Sequence, residues 1–309
     1  MKATRVHHTT PIRAIVGLTL AALVATSLSA CTPASLAAGN VCPEQGIRFG
    51  VQPSGDSANL EGAYTALADA MAEELDCSVV VRIFDSYAHT VDAMEAGELE
   101  IAQFSALGYA VASEKMAVTP VATFGMPNGN LSSYSAGIWV AADSGITRPG
   151  QLAGRTLALG AKGSASGDIL PRKALADANL AAGDVRISYS GGHVAALDAL
   201  TSGSAEAAEI DSRTLAAALA DGSFDPDDYR HIWESGVIPD DPIVMAPEVS
   251  EELSEAVSDT LLNVAPAAIE GVAEHAGVTP GGRMVGVNDV AYAEAVDVVD
   301  TLGIDEANL

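Results

Sequence analysis

Leu159-Gly160-Ala161-Lys162-Gly163-Ser164-Ala165-Ser166-Gly167-Asp168-Ile169-Leu170 joins an apolar run to a segment with helical spacing. Upstream, Arg155-Thr156-Leu157-Ala158-Leu159 reads as a short buried strand. Downstream, Leu170, Ala174, Leu175 and Ala178 recur at helical intervals between Ile169 and Ala178. The small-residue loop therefore lies at a strand-to-helix turn. Amides in the first turn of a helix have no intrahelical acceptor and sit at the positive end of its dipole, so such a turn suits an anion. Ser164 and Ser166 add hydroxyl donors, and Gly163 and Gly167 let the backbone approach closely. The same residues are equally consistent with Ser166 acting only as a helix cap. Two other chemistries fail on spacing. A nucleophile elbow needs a serine at the centre of Gly163-Ser164-Ala165-Ser166-Gly167, where Ala165 stands, and a nucleotide loop needs its lysine after the last glycine, whereas Lys162 precedes Gly163.

Working outward to the N-terminus, Lys2, Arg5 and Arg13 precede an apolar run from Ala14 to Ala25 that is short for a bilayer span and has the layout of a signal peptide. Leu28-Ser29-Ala30-Cys31 follows and resembles the lipobox of bacterial lipoproteins, which implies removal of residues 1–30 and a lipid on Cys31. The lipid would anchor the chain to the membrane without making it a spanning protein, and residues 31–45 would then be a lipidated N-terminus and tether. Two cysteines remain, Cys42 and Cys77, and outside the cytoplasm an even pair is expected to form a structural disulfide.

The leader holds three of the 15 basic residues and none of the 41 acidic ones, leaving 12 against 41 and a formal charge of −29. Nucleic acid and acidic lipid surfaces are poor partners for such a chain, and a small-anion site in it must rely on hydroxyls and amides. The order of elements is β/α. Strands are expected at Ile47–Val51, Val79–Phe84 and Ile101–Phe104, with helices at Leu60–Leu75 and His89–Ala96. Further strand-like runs, Tyr134–Ala141 and Ile243–Ala246, bracket a second β/α set, and helices Glu251–Ala268 and Tyr292–Leu302 follow. This alternation predicts an α/β fold of two lobes, each a parallel sheet with covering helices, one inserted in the other. Residues 46–134 and 240–309 would form lobe 1 and residues 135–239 lobe 2, with crossings near 134 and 240.

Along this frame lie several linked motifs. They are Tyr87 followed by Val91-Asp92-Ala93-Met94-Glu95-Ala96-Gly97-Glu98-Leu99-Glu100-Ile101-Ala102; Gly108-Tyr109; Tyr134-Ser135; Asp143-Ser144-Gly145-Ile146 before Leu152-Ala153-Gly154-Arg155; the Ser164-Ala165-Ser166-Gly167 loop; Gly191-Gly192-His193; and Ile238-Pro239-Asp240-Asp241-Pro242-Ile243. In this order the chain resembles the substrate-binding components of phosphate, phosphite and phosphonate ABC transporters, the phosphonate-binding-protein-like group of type II periplasmic binding proteins. The resemblance implies a two-lobed clamp with two hinge crossovers, an interlobe cleft for a tetrahedral phosphorus oxyanion, an ABC permease as partner, no cofactor and no catalysis. A monomer is expected.

By position, the family's contacts fall on Tyr87 and Tyr134 as hydroxyl donors, on the Ser164, Ala165 and Ser166 turn as the oxygen cradle, on His193 as a ring-nitrogen donor, and on Asp241 and Asp211 as carboxylates. A carboxylate near the oxyanion favours a protonated P–OH group or an aminophosphonate. Ala165 stands where the family commonly has a hydroxyl residue. Each position also has a plainer reading: Tyr87 and Tyr134 as wall aromatics, His193 as a helix cap, Asp211 pairing with Arg213, and Asp240 and Asp241 making a turn between prolines. His89, His231 and His275 show no ligand spacing, so no metal is expected. Three other functions fit the same residues less fully: a clamp for a sulfonate, a sensing lipoprotein, and an exported hydrolase with His193 as base and Ser164 or Ser166 as nucleophile.

Overall fold

The computed structural model describes residues 41–52, 60–181, 183–278 and 281–305. The expected leader, Cys31 and the tether as far as Asn40 lie outside the described residues.

The chain enters β1 (Ile47–Val51) and alternates through α1 (Leu60–Leu75), β2 (Val79–Ile83), α2 (Tyr87–Glu95), β3 (Ile101–Gln103), α3 (Ala106–Lys115) and β4 (Thr119–Gly125). It crosses through β5 (Ser133–Tyr134) into β6 (Ala136–Ala141), β7 (Thr156–Leu159), α4 (Leu170–Asp177), β8 (Arg186–Tyr189), α5 (His193–Thr201), β9 (Ala207–Asp211), α6 (Ser212–Asp221) and β10 (Tyr229–Glu234). It returns through β11 (Ile238–Pro239) to β12 (Ile243–Met245), α7 (Glu251–Asn263), α8 (Pro266–His275), β13 (Arg283–Gly286) and α9 (Ala293–Leu302).

Two principal sheets result, ordered β13-β4-β12-β3-β1-β2 and β10-β6-β9-β7-β8. They share one internal order: the first strand lies between the second and third, then comes a strand delivered by a crossing, then the fourth. The strands β1, β2 and β3 are mutually parallel, as are β7, β8 and β9. The crossing strands run the other way, β12 against β3 and β4 and β6 against β9 and β10. Each sheet is therefore mixed and not wholly parallel, because a segment arriving from the other sheet enters from the opposite end. The two crossings pair with each other, Tyr134 opposite Ile238.

Both faces of each sheet are covered, which is why strands such as IRFGV and TLAL are nearly continuously apolar. Phe49, Leu67, Met71, Val257 and Leu261 fill one face of the first sheet beneath α1, α7 and α8. Met94, Phe104, Tyr109 and Tyr292 fill the other, and that cluster runs on to Ala136, Ala165, Ile169 and Ile238. Leu157, Leu159 and Leu175 form the core under α4, and Leu197, Ile210 and Phe224 the core under α5 and α6.

Two helices depart from expectation for identifiable reasons. The single helix expected from Glu251 to Ala268 is broken at Val264 and Ala265, and Pro266 opens α8. Proline has no N–H to continue a helix but fits its first turn. Helix α2 starts at Tyr87, two residues early, because the Ser86 hydroxyl accepts the His89 amide at 3.2 Å and caps it. Cys42 and Cys77 form a disulfide that ties the approach to β1 to the end of α1.

Candidate ligand-binding site

The Leu159–Leu170 stretch is the turn its composition suggests. Gly160 and Gly167 face each other: a Cβ on Gly160 would come within 3.1 Å of the Gly167 Cα. The Gly160 amide donates to the Gly167 carbonyl at 2.8 Å, so neither position tolerates a side chain easily. The helix begins with a wider π-type turn over Ala165–Ile169 before α4. Its cap is Ser164 and not Ser166, the Ser164 hydroxyl accepting the Gly167 amide at 3.1 Å. The amides of Ala165 and Ser166, first in the helical run, are left without intrahelical acceptors. Fully buried Asp168 braces the loop, accepting the Gly163 amide at 2.9 Å and the Tyr189 hydroxyl at 2.8 Å, with Arg172 Nε 2.9 Å away. Burial and Asp168 together push the Tyr189 pKa up to about 12, keeping that hydroxyl a donor.

A cavity of about 580 Å³ opens between this turn and the first sheet. Tyr87, Tyr134, Ser164, His193, Asp211 and Asp241 all line it. Tyr87 comes from the N-terminus of α2, Tyr134 from the first crossing, His193 from the N-terminus of α5, Asp211 from the end of β9 and Asp241 from the second crossing. The Tyr87 hydroxyl lies near Ser164 and the Tyr134 hydroxyl near Ser166, each serine opposing the upward shift of its tyrosine. Burial, and then the nearby Asp241, raise both tyrosine pKa values, so both remain neutral donors.

Two positions of the predicted set behave differently. Ala165 does not line this cavity; it lines instead a small, mainly apolar space with Leu107, Leu170 and Ile238. It can offer the cavity only its amide. Ser166 has no exposed surface, and its hydroxyl sits 3.3 Å from His193 Nε2.

His193 does not cap α5, whose cap is Gly192 without a side-chain bond. Its Nδ1 lies 2.8 Å from Glu209 Oε2 and its Nε2 lies 3.3 Å from Asp211 Oδ2. Burial alone would lower the His193 pKa, but the two carboxylates overcome it and raise it to about 9. Asp211 also caps α6 through the amides of Arg213 at 2.8 Å and Thr214 at 2.7 Å. The Arg213 guanidinium turns away from the Asp211 carboxylate to Asp240, contrary to the plainer reading of that pair. The Asp240-Asp241 backbone is no simple turn: Thr123 Oγ1 donates to both carbonyls at 2.9 and 3.0 Å, and Tyr292 donates to that of Asp240 at 2.7 Å. Burial first, then Asp240, push the Asp241 pKa up to about 7 against the pull of Arg213.

Ser166, His193 and Glu209 stand in line as a serine, an imidazole and a carboxylate do in a hydrolase. The protonation state differs. Glu209 and Asp211 at the two ring nitrogens favour the imidazolium, even though burial also raises the Glu209 pKa to about 7, and a protonated ring has no lone pair with which to take a serine proton. A cation beside unpaired amides and tyrosine hydroxyls is instead arranged to hold an oxyanion.

Sequence reasoning missed Glu209, Asp168 and the role of Arg213. Glu209 was legible in principle, since Glu209 and Asp211 two apart on a strand share one face. The bracing by Asp168 depends on a loop closure that no periodicity signals.

Residues 49–290 match the family of ABC transporter periplasmic substrate-binding proteins for phosphonate. The phosphate-import protein PhnD of Mycolicibacterium smegmatis is 27% identical over 236 residues, covering 71% of this chain and 73% of its own. The phosphonates-binding periplasmic protein of Escherichia coli is 24% identical over 229 residues, covering 71% of this chain and 66% of its own. Among solved structures, PhnD1 of Prochlorococcus marinus in complex with methylphosphonate superposes with a TM-score of 0.68 at 15% identity, covering 83% of this chain and 98% of that one. The last of these bears on fold alone, that of type II periplasmic binding proteins. With most of its described length inside the family match, the chain belongs to the periplasmic phosphonate substrate-binding proteins of ABC transporters.

Proposed function

We propose that this chain is an extracytoplasmic lipoprotein, held at the membrane by a lipid on Cys31, that captures a small phosphorus oxyanion and delivers it to an ABC permease. Capture works by closure of two lobes, residues 46–134 with 240–309 and residues 135–239, about the paired crossings. The observation that carries this reading is the convergence on one cavity of Tyr87 and Tyr134 with Ser164 and His193. These are neutral or cationic donors, as an oxyanion requires. Asp241 in the same cavity favours a ligand bearing a P–OH proton or an amine, because an ionised carboxylate repels a dianion. The relatives in Mycolicibacterium smegmatis and Escherichia coli, named for phosphate import and phosphonate binding, point to the same ligand class.

Calorimetric titration of the chain starting after Cys31 tests this with phosphate, phosphite, methylphosphonate, 2-aminoethylphosphonate and taurine. Tight binding of a phosphorus compound, weakened by Ser164→Ala and by Asp241→Asn, is the expected result. Heat with taurine alone would move the assignment to sulfonates, and no heat with any of the five would remove the oxyanion reading. The anchor is tested separately by the membrane fraction, from which Cys31→Ala should release the protein.

A further inference from the structure

Arg213 is the single lysine or arginine among the described residues lining the cavity. A guanidinium so placed is the obvious group to meet an anion, yet both of its terminal nitrogens are engaged within the protein. Nη1 lies 2.6 Å from Asp240 Oδ1 and donates to the Ala276 carbonyl at 2.8 Å. Nη2 donates to Asp240 Oδ2 at 2.8 Å and to Ser132 Oγ at 3.0 Å. The guanidinium carbon lies over the Tyr134 ring, 4.7 Å from its centroid.

These partners come from a different part of the fold than Arg213 itself. Arg213 stands in the first turn of α6, on the second sheet. Ala276 ends α8, which packs on α1 against the first sheet, while Ser132 and Asp240 flank the paired crossings β5 and β11. The approach at α8 is close: Gly277, with φ of +65°, would bring a Cβ within 3.1 Å of Arg213 Cδ. The pair is also shielded, with side-chain exposures of 20% for Arg213 and 4% for Asp240, so it is not a screened surface contact.

We propose that Arg213 is a positioning residue for ligand capture, a latch that holds α6 against α8 and the crossing strands without touching the anion. The proposal rests on the reading of the cavity as an oxyanion site closed by lobe movement. A planar fork can meet two carboxylate oxygens, a hydroxyl and a carbonyl together, which the point charge of a lysine cannot. Arg213 also carries one of the two amides that Asp211 caps, so the latch and the carboxylate beside His193 share one turn. Loosening Arg213 lets the α6 side of the cleft move away as a unit and speeds ligand escape.

The test is stopped-flow binding of methylphosphonate, phosphite and phosphate to the wild type, Arg213→Lys and Arg213→Met, with small-angle scattering of each unliganded protein. Expected in Arg213→Met are dissociation faster by about 10–100-fold, association within about 3-fold of wild type, and the same factor for every ligand. Arg213→Lys should fall between, and unliganded Arg213→Met should show a larger radius of gyration. Altered affinity ratios among the ligands would mean direct contact with the anion and overturn the proposal. Unchanged dissociation with an unchanged radius would overturn it as well. If Arg213→Met does not fold, Asp240→Asn and Ser132→Ala remove latch partners one at a time and must each speed dissociation. Should the wild type bind none of the three ligands, the oxyanion reading fails by itself, and the scattering comparison still decides the latch.

Discussion

His193 Nδ1 stands 2.8 Å from Glu209 Oε2, and Glu209 is fully buried with its other oxygen unpartnered among the described residues. A buried carboxylate without a second donor depends on the imidazolium for its charge, and the imidazolium depends on it in turn. Glu209→Gln should therefore move the His193 titration midpoint down from about 9 by about 1–2 pH units, read by NMR of the ring protons. A midpoint that stays put would show that Asp211 alone sustains the charge.

Stability should fall as pH rises. Asp241, Glu209 and His193 all hold protons more tightly in the folded protein than in the unfolded chain, Glu209 because burial raises it from its ordinary 4.5 to about 7. The contribution of Asp241 is whole below its ordinary 3.8 and is lost as pH climbs through about 7. That of His193 is whole below 6.5 and is lost through about 9. Thermal melts between pH 5 and pH 9 should decline, and Asp241→Asn should remove part of the lower stretch of that decline and leave the part that belongs to Glu209. A melting temperature that climbs over the same range would contradict the assignment of these groups.

Methylphosphonate affinity should follow Asp241 and His193, the two of these groups that line the cavity. Below about pH 7 the Asp241 carboxyl is neutral and His193 is cationic; above it Asp241 carries a charge that faces the cavity. Affinity should weaken above neutrality, by up to about tenfold per pH unit where one proton is linked to binding. Titration of Asp241→Asn should lose this fall near pH 7 and keep a second one near pH 9.

Ala165→Ser is expected to lower stability without tightening binding. The residue is 2% exposed, and it lines a space of about 60 Å³. That space is lined mainly by apolar side chains such as Leu107, Leu170 and Ile238, and a hydroxyl left unpaired there costs about 1–3 kcal/mol. A denaturant midpoint equal to wild type together with tighter phosphonate binding would place the side chain in the cleft after all.

Much of this was legible before the structure, for reasons that differ by element. Strands such as Ile47–Val51 are buried on both faces and announce themselves as apolar runs, and α1 carries its core residues Leu60, Tyr64, Leu67 and Met71 on one side. The direction of β6 and β12 was not legible, since strand sense is set by where the chain comes from and not by local composition. At the site, the identities of Tyr87, Ser164 and His193 followed from motif order. What they touch did not, because Glu209 reaches His193 only once β9 is seated in the sheet between β6 and β7. Arg213 beside Asp211 in sequence suggested a local pair; the helix cap at Asp211 takes the backbone amides and leaves the guanidinium to reach elsewhere.

Ser164 and Ser166 should separate on mutation despite standing two residues apart. Ser164 caps the helix, so Ser164→Ala should cost about 1 kcal/mol of stability in addition to affinity. Ser166 makes no cap, and its hydroxyl lies between His193 Nε2 and Tyr134. Ser166→Ala should weaken phosphonate binding about tenfold with little change in melting temperature. Because His193 is already protonated below about pH 9, the same variant should leave any background turnover of an activated ester unchanged at pH 7. Ester turnover that vanishes in Ser166→Ala and rises steeply toward pH 9 in the wild type would show that the imidazole acts as a base, and the binding-only reading of this serine would have to be abandoned.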